Sequence, residues 1–310
     1  MDPYRLRLIA PRIHYFTLVA RLGSIRRASQ ALNVAPSSVS RMLSQLEADF
    51  GSPLFERVRQ RLELTSAGEL LLYHARTSLT ELTRACNEIG DLSGARRGSV
   101  SIAVIESAAR GLLPDAMSEF WSKHPGVTVE VKVVGSQQAI NLVSEGECDL
   151  AVVFDARPPR SARRLTTASF ALGVLSPPGG RLATKPAVRL SDLAGEGLIV
   201  SDTSLMLGVA LEETFARSGI DLARRARTNS IGLMIDLARR GLGVAMQTRL
   251  GVEPEIAAGE LVFTPLRDPR LKPRELMLLS RAAKDTSEAA SQFGRLIGQR
   301  VERLSAAEAA

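Results

Sequence analysis

Residues 23–51 read GSIRRASQALNVAPSSVSRMLSQLEADFG, and this stretch predicts two helices joined by a tight turn. Ser24 is a suitable cap for the first helix, and Pro36 suits the first position of the second, where a missing N–H is tolerated. Both helices have an apolar face, formed by Ile25, Ala28 and Leu32 in the first and by Val39, Leu43, Leu46 and Phe50 in the second. These spacings predict a helix-turn-helix whose helices cross closely at the small Ala28.

The polar face of the second helix has the side chains expected of a helix that reads the major groove of DNA. Arg41 can donate two hydrogen bonds to guanine, Gln45 can read adenine, and short serines let a helix approach the phosphates. We expect DNA contacts from Arg26, Arg27, Pro36, Ser37, Ser38, Ser40, Arg41, Gln45, Arg57, Arg59 and Arg61. The alternative is an ordinary helical hairpin with a solvated face, which a helix pair alone would favour.

The residues that follow, and the distribution of charge, favour the DNA-binding interpretation. Residues 51–64 predict two short strands around a basic tip, which together would form a wing. The 310-residue chain has 40 basic and 33 acidic residues and a net charge of +7. Its first 64 residues hold ten Arg and five acidic residues, so +5 of the excess lies there. A basic module on a nearly neutral remainder is typical of nucleic-acid binding, although charge alone leaves a random fluctuation equally open.

Residues 65–93 predict one long helix with a coiled-coil pattern. Its apolar residues recur at spacings of three and four, as Leu72, Ala75, Leu79, Leu82, Cys86 and Ile89. A long helix with one narrow apolar stripe needs a partner that buries the stripe. We expect this seam to pair two chains and to present two recognition helices to a palindromic site; packing on its own domain is the alternative.

Residues 99–310 follow a predicted hinge at 94–98 and alternate strand-like with helical segments, which predicts an α/β domain with largely parallel sheets. Two cysteines 62 positions apart predict no disulfide framework and therefore a cytoplasmic protein. No apolar run approaches the roughly 18 residues of a membrane span. Three scattered histidines and two cysteines predict no metal site, and no spacing of a nucleophile and a base predicts an enzyme.

Residues 12–97 resemble the N-terminal part of LysR-type transcriptional regulators. The matching residues are Phe16, Gly23-Ser24, Ala28, Leu32, Val34, Val39-Ser40-Arg41, Leu46-Glu47, Gly51, Pro53-Leu54-Phe55-Glu56-Arg57, Leu64-Thr65 and Ala67-Gly68. Residues 99–310 resemble the regulatory domain more loosely, through Gly111-Leu112-Leu113-Pro114, His124-Pro125-Gly126-Val127, Glu145-Gly146 with Asp149, and Gly241 with Gly243.

The resemblance implies three parts. These are a mostly α-helical winged helix-turn-helix at 1–64, a dimerisation helix at 65–93, and a two-lobed α/β effector domain like type 2 periplasmic binding proteins. Lobe I would comprise about 99–167 and 266–310, and lobe II about 168–265. The chain departs from the family at Pro36, where a base-reading Gln is common, and at Phe154, where an Arg sometimes clamps the ligand.

Hydroxyl and amide residues end several predicted strands just before helices begin. We expect an effector site at Ser107, Ser136, Asp202, Thr203, Ser204, Asn229, Ser230 and Gln247. Helix N-termini carry free N–H groups and suit an anion, although each of these residues alone could be a plain cap. The expected ligand is a small metabolite with an acidic group, which Glu106 or Asp202 could also repel.

The function predicted from these features is that of a transcriptional regulator whose DNA binding responds to a small-molecule effector. Its expected partners are double-stranded DNA, the effector, RNA polymerase, and further copies in a dimer of dimers, with no resident cofactor and no membrane. A redox-responsive regulator using Cys86 or Cys148, and a ligand-independent one, are the alternatives. A solute-binding protein or an enzyme on the same fold fits the sequence less well, since neither an export signal nor a catalytic motif is present.

Overall fold

The structure is a computed structural model that describes residues 8–58, 61–92, 98–220, 222–281 and 286–309. The chain divides into two compact units, an N-terminal unit that ends at Gly98 and a C-terminal unit that begins at Ser99. Of the predicted hinge at 94–98, only Gly98 lies within the described residues. Within those ranges, every helix is too short or too polar to cross a membrane.

The N-terminal unit is a winged helix-turn-helix followed by a long helix. Its elements are α1 (Pro11–Leu22), α2 (Ile25–Leu32), α3 (Pro36–Phe50), β1 (Phe55–Val58), β2 (Arg61–Leu64) and α4 (Ser66–Leu92). Strands β1 and β2 pair antiparallel, with Phe55 opposite Leu64. The core between the first three helices is small, and its fully buried members include Phe16, Val19, Ala28 and Val39. The predicted helix pair and wing are confirmed.

Local sequence sets the ends of these helices. Ser24 caps α2 by accepting a hydrogen bond from the Arg27 amide at 3.4 Å, and Asn33 ends α2 in the left-handed conformation (φ 53°). The expectation that Phe50 faces the core is wrong, because its side chain is 56% exposed. The chain reverses at Gly51 (φ 65°) directly after it, and Leu54 enters the core instead.

A turn at residues 53–55 joins α3, the wing and α4. The Glu47 carboxylate accepts hydrogen bonds from the backbone amides of Leu54 (2.8 Å) and Phe55 (3.2 Å). The Thr65 hydroxyl donates to the Pro53 carbonyl (2.7 Å) and accepts from the Gly68 amide (3.1 Å), so it caps α4 and fixes it to the same turn. The wing is therefore held from both sides.

Replacing Glu47 by Ala is expected to lower the free energy of unfolding of the N-terminal unit by about 2 kcal/mol, because two backbone donors lose a charged acceptor. Glu47→Gln keeps one carbonyl oxygen and should lose less. The transition is followed by far-UV circular dichroism in urea. Trp121, the chain's single tryptophan, lies in the C-terminal unit, so its fluorescence is an internal control. Equal stability of all three proteins would contradict this role of Glu47.

The C-terminal unit has two lobes, each built on a five-stranded sheet with the strand orders β4-β3-β5-β12-β6 and β11-β7-β10-β8-β9. Lobe I contains β3 (Ser99–Val104), α5 (Glu106–Gly111), α6 (Leu113–Lys123), β4 (Thr128–Val133), α7 (Ser136–Ser144), β5 (Leu150–Phe154), β6 (Ala162–Phe170), β12 (Arg274–Arg281) and α11 (Glu288–Ala309). Lobe II contains β7 (Leu172–Ser176), β8 (Leu198–Ser201), α8 (Met206–Ser218), β9 (Arg224–Thr228), α9 (Ile231–Arg239), β10 (Val244–Thr248), α10 (Glu253–Ala257) and β11 (Val262–Pro265). This confirms the expected two-lobed α/β fold. The expectation of largely parallel sheets is wrong, because each sheet has two parallel and two antiparallel strand pairs.

The predicted lobe boundaries need correction. Phe170 packs in the core of lobe I, so the first crossing falls at Ala171 rather than at 167–168. Leu266 packs in the core of lobe II and Leu271 packs against it, so the chain re-enters lobe I at Arg274 rather than at 266. Both shifts have one cause, since β6 and β12 pair antiparallel as far as Phe170 opposite Arg274.

Candidate functional site

The polar face of α3 is exposed as predicted. Val39, Leu43 and Leu46 are buried toward the core. The exposed predicted contacts are Arg26, Arg27, Pro36, Ser37, Ser38, Ser40, Arg41 and Gln45 of the helix pair and Arg57 of the wing. The tip residue Arg59 and the side chain of Arg61 lie outside what the structure describes.

Arg41 is exposed on the polar face of α3. It lies in the middle of α3, two residues beyond the buried Val39. Among the described residues it makes no hydrogen bond or ion pair. By contrast, Arg27 donates weakly to the Leu22 carbonyl (3.5 Å) at the end of α1, beside the helix pair. Base readout by Arg41 and phosphate contact by Arg27 stay predictions.

The predicted seam of α4 is only partly available to a partner. Leu72 packs against the core of the helix-turn-helix, and Ala75 and Cys86 are already buried. Leu79 and Leu82 are half-buried, and Ile89 is exposed. Two apolar residues outside the predicted seam, Leu70 and Tyr73, are 61% and 60% exposed. In the first turns of α4, the predicted apolar stripe is therefore partly or fully buried by the chain itself. The exposed apolar residues Leu70 and Tyr73 lie beside that stripe.

A cavity of about 320 Å³ lies between the two lobes of the C-terminal unit. Five of the eight predicted effector residues line it, namely Ser107, Ser136, Asn229, Ser230 and Gln247. Its apolar walls are formed by Ile105, Val133, Val134, Phe154, Leu205, Met206, Leu207 and Ile231. This volume and this mixture of apolar walls with a few polar groups are typical of a site for a small metabolite.

Three predicted residues, Asp202, Thr203 and Ser204, do not line the cavity. The Asp202 carboxylate accepts hydrogen bonds from the amide and the hydroxyl of Ser204, and these bonds lower the pKa of the Asp202 carboxyl. The pair closes a local turn before α8, so its polar atoms satisfy each other. Ser201, the last residue of β8, lines the cavity in their place and is buried.

Arg274 is a cationic group of the cavity that the sequence does not indicate. Its side chain is 11% exposed and pairs with Asp155. Burial raises the pKa of the Asp155 carboxyl, while the hydrogen bond from the Glu275 amide and the charge of Arg274 oppose this rise. Burial also lowers the pKa of the Arg274 guanidinium, although Asp155 opposes the shift. Arg274 is the first residue of β12, whereas the predicted site residues follow the ends of other strands.

Thr248 and Glu106 also line the cavity and were missed as site residues. The Thr248 hydroxyl is buried and has no hydrogen-bond partner within the described part of the chain. Glu106 begins α5 in lobe I and reaches across to α9 in lobe II. Thr248 directly follows the predicted Gln247, so the strand-end pattern located this part of the cavity wall but not this residue.

The described residues contain no group of three or more His, Cys, Asp or Glu side chains placed to hold a metal ion. Cys86 and Cys148 are buried thiols outside any disulfide. Such thiols react slowly with oxidants unless the chain opens, because reactivity follows exposure and thiolate character. A winged helix-turn-helix joined to a two-lobed domain with an internal cavity defines instead the class of ligand-responsive transcriptional regulators.

Comparisons with known proteins give the family. Residues 93–302 match the LysR substrate binding domain, and residues 11–69 match the bacterial regulatory helix-turn-helix protein of the lysR family. The HTH-type transcriptional regulator CbbR of Rhodospirillum rubrum is 29% identical over 259 residues, which cover 82% of this chain and 85% of that protein. The chain therefore belongs to the LysR family of DNA-binding transcriptional regulators.

Two solved structures have the same fold. Full-length OxyR from Pseudomonas aeruginosa, a variant protein, matches with a TM-score of 0.65 at 16% identity, over 94% of this chain and 93% of that one. Full-length CbnR in complex with its target DNA matches with a TM-score of 0.58 at 19% identity, over 94% and 98% of the two chains. Relatives of this chain are thus regulators, and one structural neighbour is seen on DNA.

Proposed function

We propose that this LysR-family regulator reads its operator mainly through Ser37, Ser38 and Arg41 of α3, and that a small organic acid bound between the lobes changes its DNA binding. The observation that carries the ligand proposal is the interlobe cavity with Arg274 in its wall. Closing or opening of two lobes around a ligand is an established way to shift an equilibrium between two shapes. In this proposal the protein is located in the cytoplasm, where its DNA lies, and it regulates transcription without catalysing a reaction.

The part of the cavity wall formed by Ser136 and Arg274 of lobe I favours an acidic group. Ser136 begins α7, whose first turn contains no acidic side chain, and the Ser136 hydroxyl accepts from the Phe154 amide at 3.1 Å. Asp155 follows Phe154 and holds Arg274, so the guanidinium and the start of α7 lie on one side. A Cβ at Gly135 would meet no atom within 4 Å, which leaves room for a ligand. A helix N-terminus with a nearby cation suits a carboxylate.

A thermal-shift screen of small organic acids tests this proposal. A binding acid should raise the melting temperature by about 5 °C or more at roughly 100 times its Kd, with Trp121 fluorescence as the readout. Arg274→Gln should abolish this rise. Arg281→Gln is the matched control, because Arg281 lies on the same strand and pairs with Asp149 at 3.0 Å but does not line the cavity.

Two outcomes would contradict the acid proposal. In the first, only neutral or cationic compounds stabilise the wild-type protein. In the second, Arg274→Gln and Arg281→Gln respond to an active acid as the wild type does. Either result would contradict the binding of an acidic group by Arg274.

We also propose that α4 pairs two chains, that two such dimers associate, and that the assembly contacts RNA polymerase at its promoters. The exposed Leu70 and Tyr73 of α4 support a pairing surface. Leu70→Asp with Tyr73→Asp should halve the mass of the particle in solution, measured by light scattering, whereas the exposed His74→Asp on the same helix should not. An unchanged mass would contradict pairing through these residues.

A further inference from the structure

Glu106 forms a carboxylate contact between the lobes at the edge of the cavity. One carboxylate oxygen accepts from the Ile231 amide at 2.8 Å, and the other accepts from the Gly232 amide at 2.9 Å. The Ser230 hydroxyl lies 3.4 Å from the second oxygen. Glu106 belongs to lobe I, and the three residues that it contacts begin α9 in lobe II.

These contacts leave no free donor at the start of α9. The first N–H groups of a helix have no partner within the helix and are what makes its N-terminus attract an anion. Here Glu106 takes the amides of Ile231 and Gly232, and the Ser230 side chain takes the amide of Leu233 at 3.3 Å. The Met234 amide bonds to the Ser230 carbonyl at 3.2 Å. An external acid would find every one of these donors occupied.

Further contacts of α5 hold the two lobes together. Arg110 donates to the Glu255 carboxylate at 2.6 Å and to the Gly251 carbonyl at 3.1 Å, both in lobe II. A Cβ at Gly111 would lie 2.6 Å from the Gly251 nitrogen, so the backbones approach as closely as glycine allows. The lobes therefore meet along α5, with Glu106 at the cavity end of that helix.

We propose that Glu106 is a built-in anion that occupies the N-terminus of α9, holds lobe II on lobe I, and excludes the acidic group of the effector from that helix end. This deepens the proposed function, on which its ligand consequence rests: the effector directs a single acidic group to Ser136 and Arg274. Its other end, facing the carboxylate of Glu106, is uncharged or carries hydrogen-bond donors, because a second anion there would meet like charge.

Chemical rescue with acetate tests the proposal. Glu106→Ala removes the carboxylate and leaves a gap at donors that then lack an acceptor, so the melting temperature should fall by about 5 °C. Sodium acetate should restore at least half of this loss in a saturable way, compared with sodium chloride at equal ionic strength. Acetate should raise the melting temperature of Glu106→Ala by more than that of the wild type, because Glu106 already fills this place in the wild type, whereas binding at Arg274 would act on both proteins alike.

Two further variants serve as controls. Arg110→Ala breaks other hydrogen bonds of α5 with lobe II, but it removes a cation, so acetate should not rescue it. Glu106→Gln fills the gap with an amide and should be destabilised without rescue. If Glu106→Ala is recovered only from denaturant, its refolding yield in acetate and in chloride is compared, and a higher yield in acetate is expected.

The proposal is overturned if Glu106→Ala is as stable as the wild type, if acetate stabilises both proteins equally, or if the refolding yields are equal. None of these readouts uses DNA, and each compares the variant with the wild type, so acetate bound at Arg274 in both proteins would not imitate rescue. A wild type that responds to no organic acid would therefore defeat the proposed ligand class while leaving acetate rescue intact. Loss of rescue alone would leave DNA binding untouched.

Discussion

The Arg41→Ala variant is expected to bind the preferred DNA site of the wild-type protein about 5- to 150-fold more weakly, the range that corresponds to one lost bidentate contact with a guanine. Arg41 is exposed in the middle of α3 and makes no hydrogen bond or ion pair among the described residues, so its loss should leave the fold intact. The site is first selected with the wild type from random duplexes, and both affinities are then measured on it. Binding to unrelated duplexes should hardly change.

Arg27→Ala is the matched control on the supporting helix. It should weaken binding to selected and unrelated duplexes alike, because a phosphate contact carries no sequence information. The slope of log K against log salt concentration should also fall in magnitude by about 0.9. If Arg41→Ala instead weakens all duplexes equally, α3 does not read bases through this residue.

The Gly68→Ala variant is expected to lose about 3 kcal/mol of stability in the N-terminal unit, the upper end of what overpacking commonly causes. A Cβ at Gly68 would lie 2.1 Å from the Leu54 carbonyl oxygen and 2.8 Å from a methyl carbon of Leu64. The closest atom is backbone, so relief requires movement of the turn that Glu47 and Thr65 hold. DNA binding should fall with stability, since this turn positions the wing.

Glu69→Ala, at the exposed neighbouring position of α4, is the control and should unfold as the wild type does. Helix loss is followed by circular dichroism, and Trp121 fluorescence should report an unchanged C-terminal unit. A Gly68→Ala protein of wild-type stability would contradict the close packing of α4 on the wing turn. Intrinsic helix propensity acts in the opposite direction, since Ala favours a helix by about 1 kcal/mol over Gly, so any observed loss is steric.

Local patterns predicted the DNA-binding unit well. Helix caps, the turn and the apolar spacing in residues 23–51 each depend only on residues close in the sequence. The bounds of the two helices could therefore be predicted almost to the residue. Phe50 shows the limit of this reasoning, because periodicity continued past the point at which the chain reverses at Gly51. The prediction for α4 failed in part for a related reason. Residue spacing shows which face of a helix is apolar, but it does not show whether the same chain already buries that face. Leu72 is partly buried in this way by the core of the N-terminal unit.

The cavity was predictable only in part. Strand ends followed by helix starts located Ser107, Ser136, Asn229, Ser230 and Gln247, because parallel strands bring those positions to one edge. Asp202 carried the same signal but satisfies its carboxylate locally with Ser204. Arg274 enters from the strand that returns from lobe II, and no local pattern links it to Asp155. Glu106 directly precedes the predicted Ser107, but its hydrogen-bond partners on α9 lie more than a hundred residues further along the chain.

The most direct test of a ligand-responsive regulator measures how far binding of the ligand changes the affinity for DNA. The affinity of the full chain for its selected DNA site is determined with and without a saturating amount of the organic acid that stabilises the protein most. Coupling between two sites in regulatory proteins is commonly 5- to 150-fold, so a change of about fivefold or more is expected, and Arg274→Gln should abolish it. An affinity that stays the same with the acid bound would contradict the central claim that the cavity controls DNA binding.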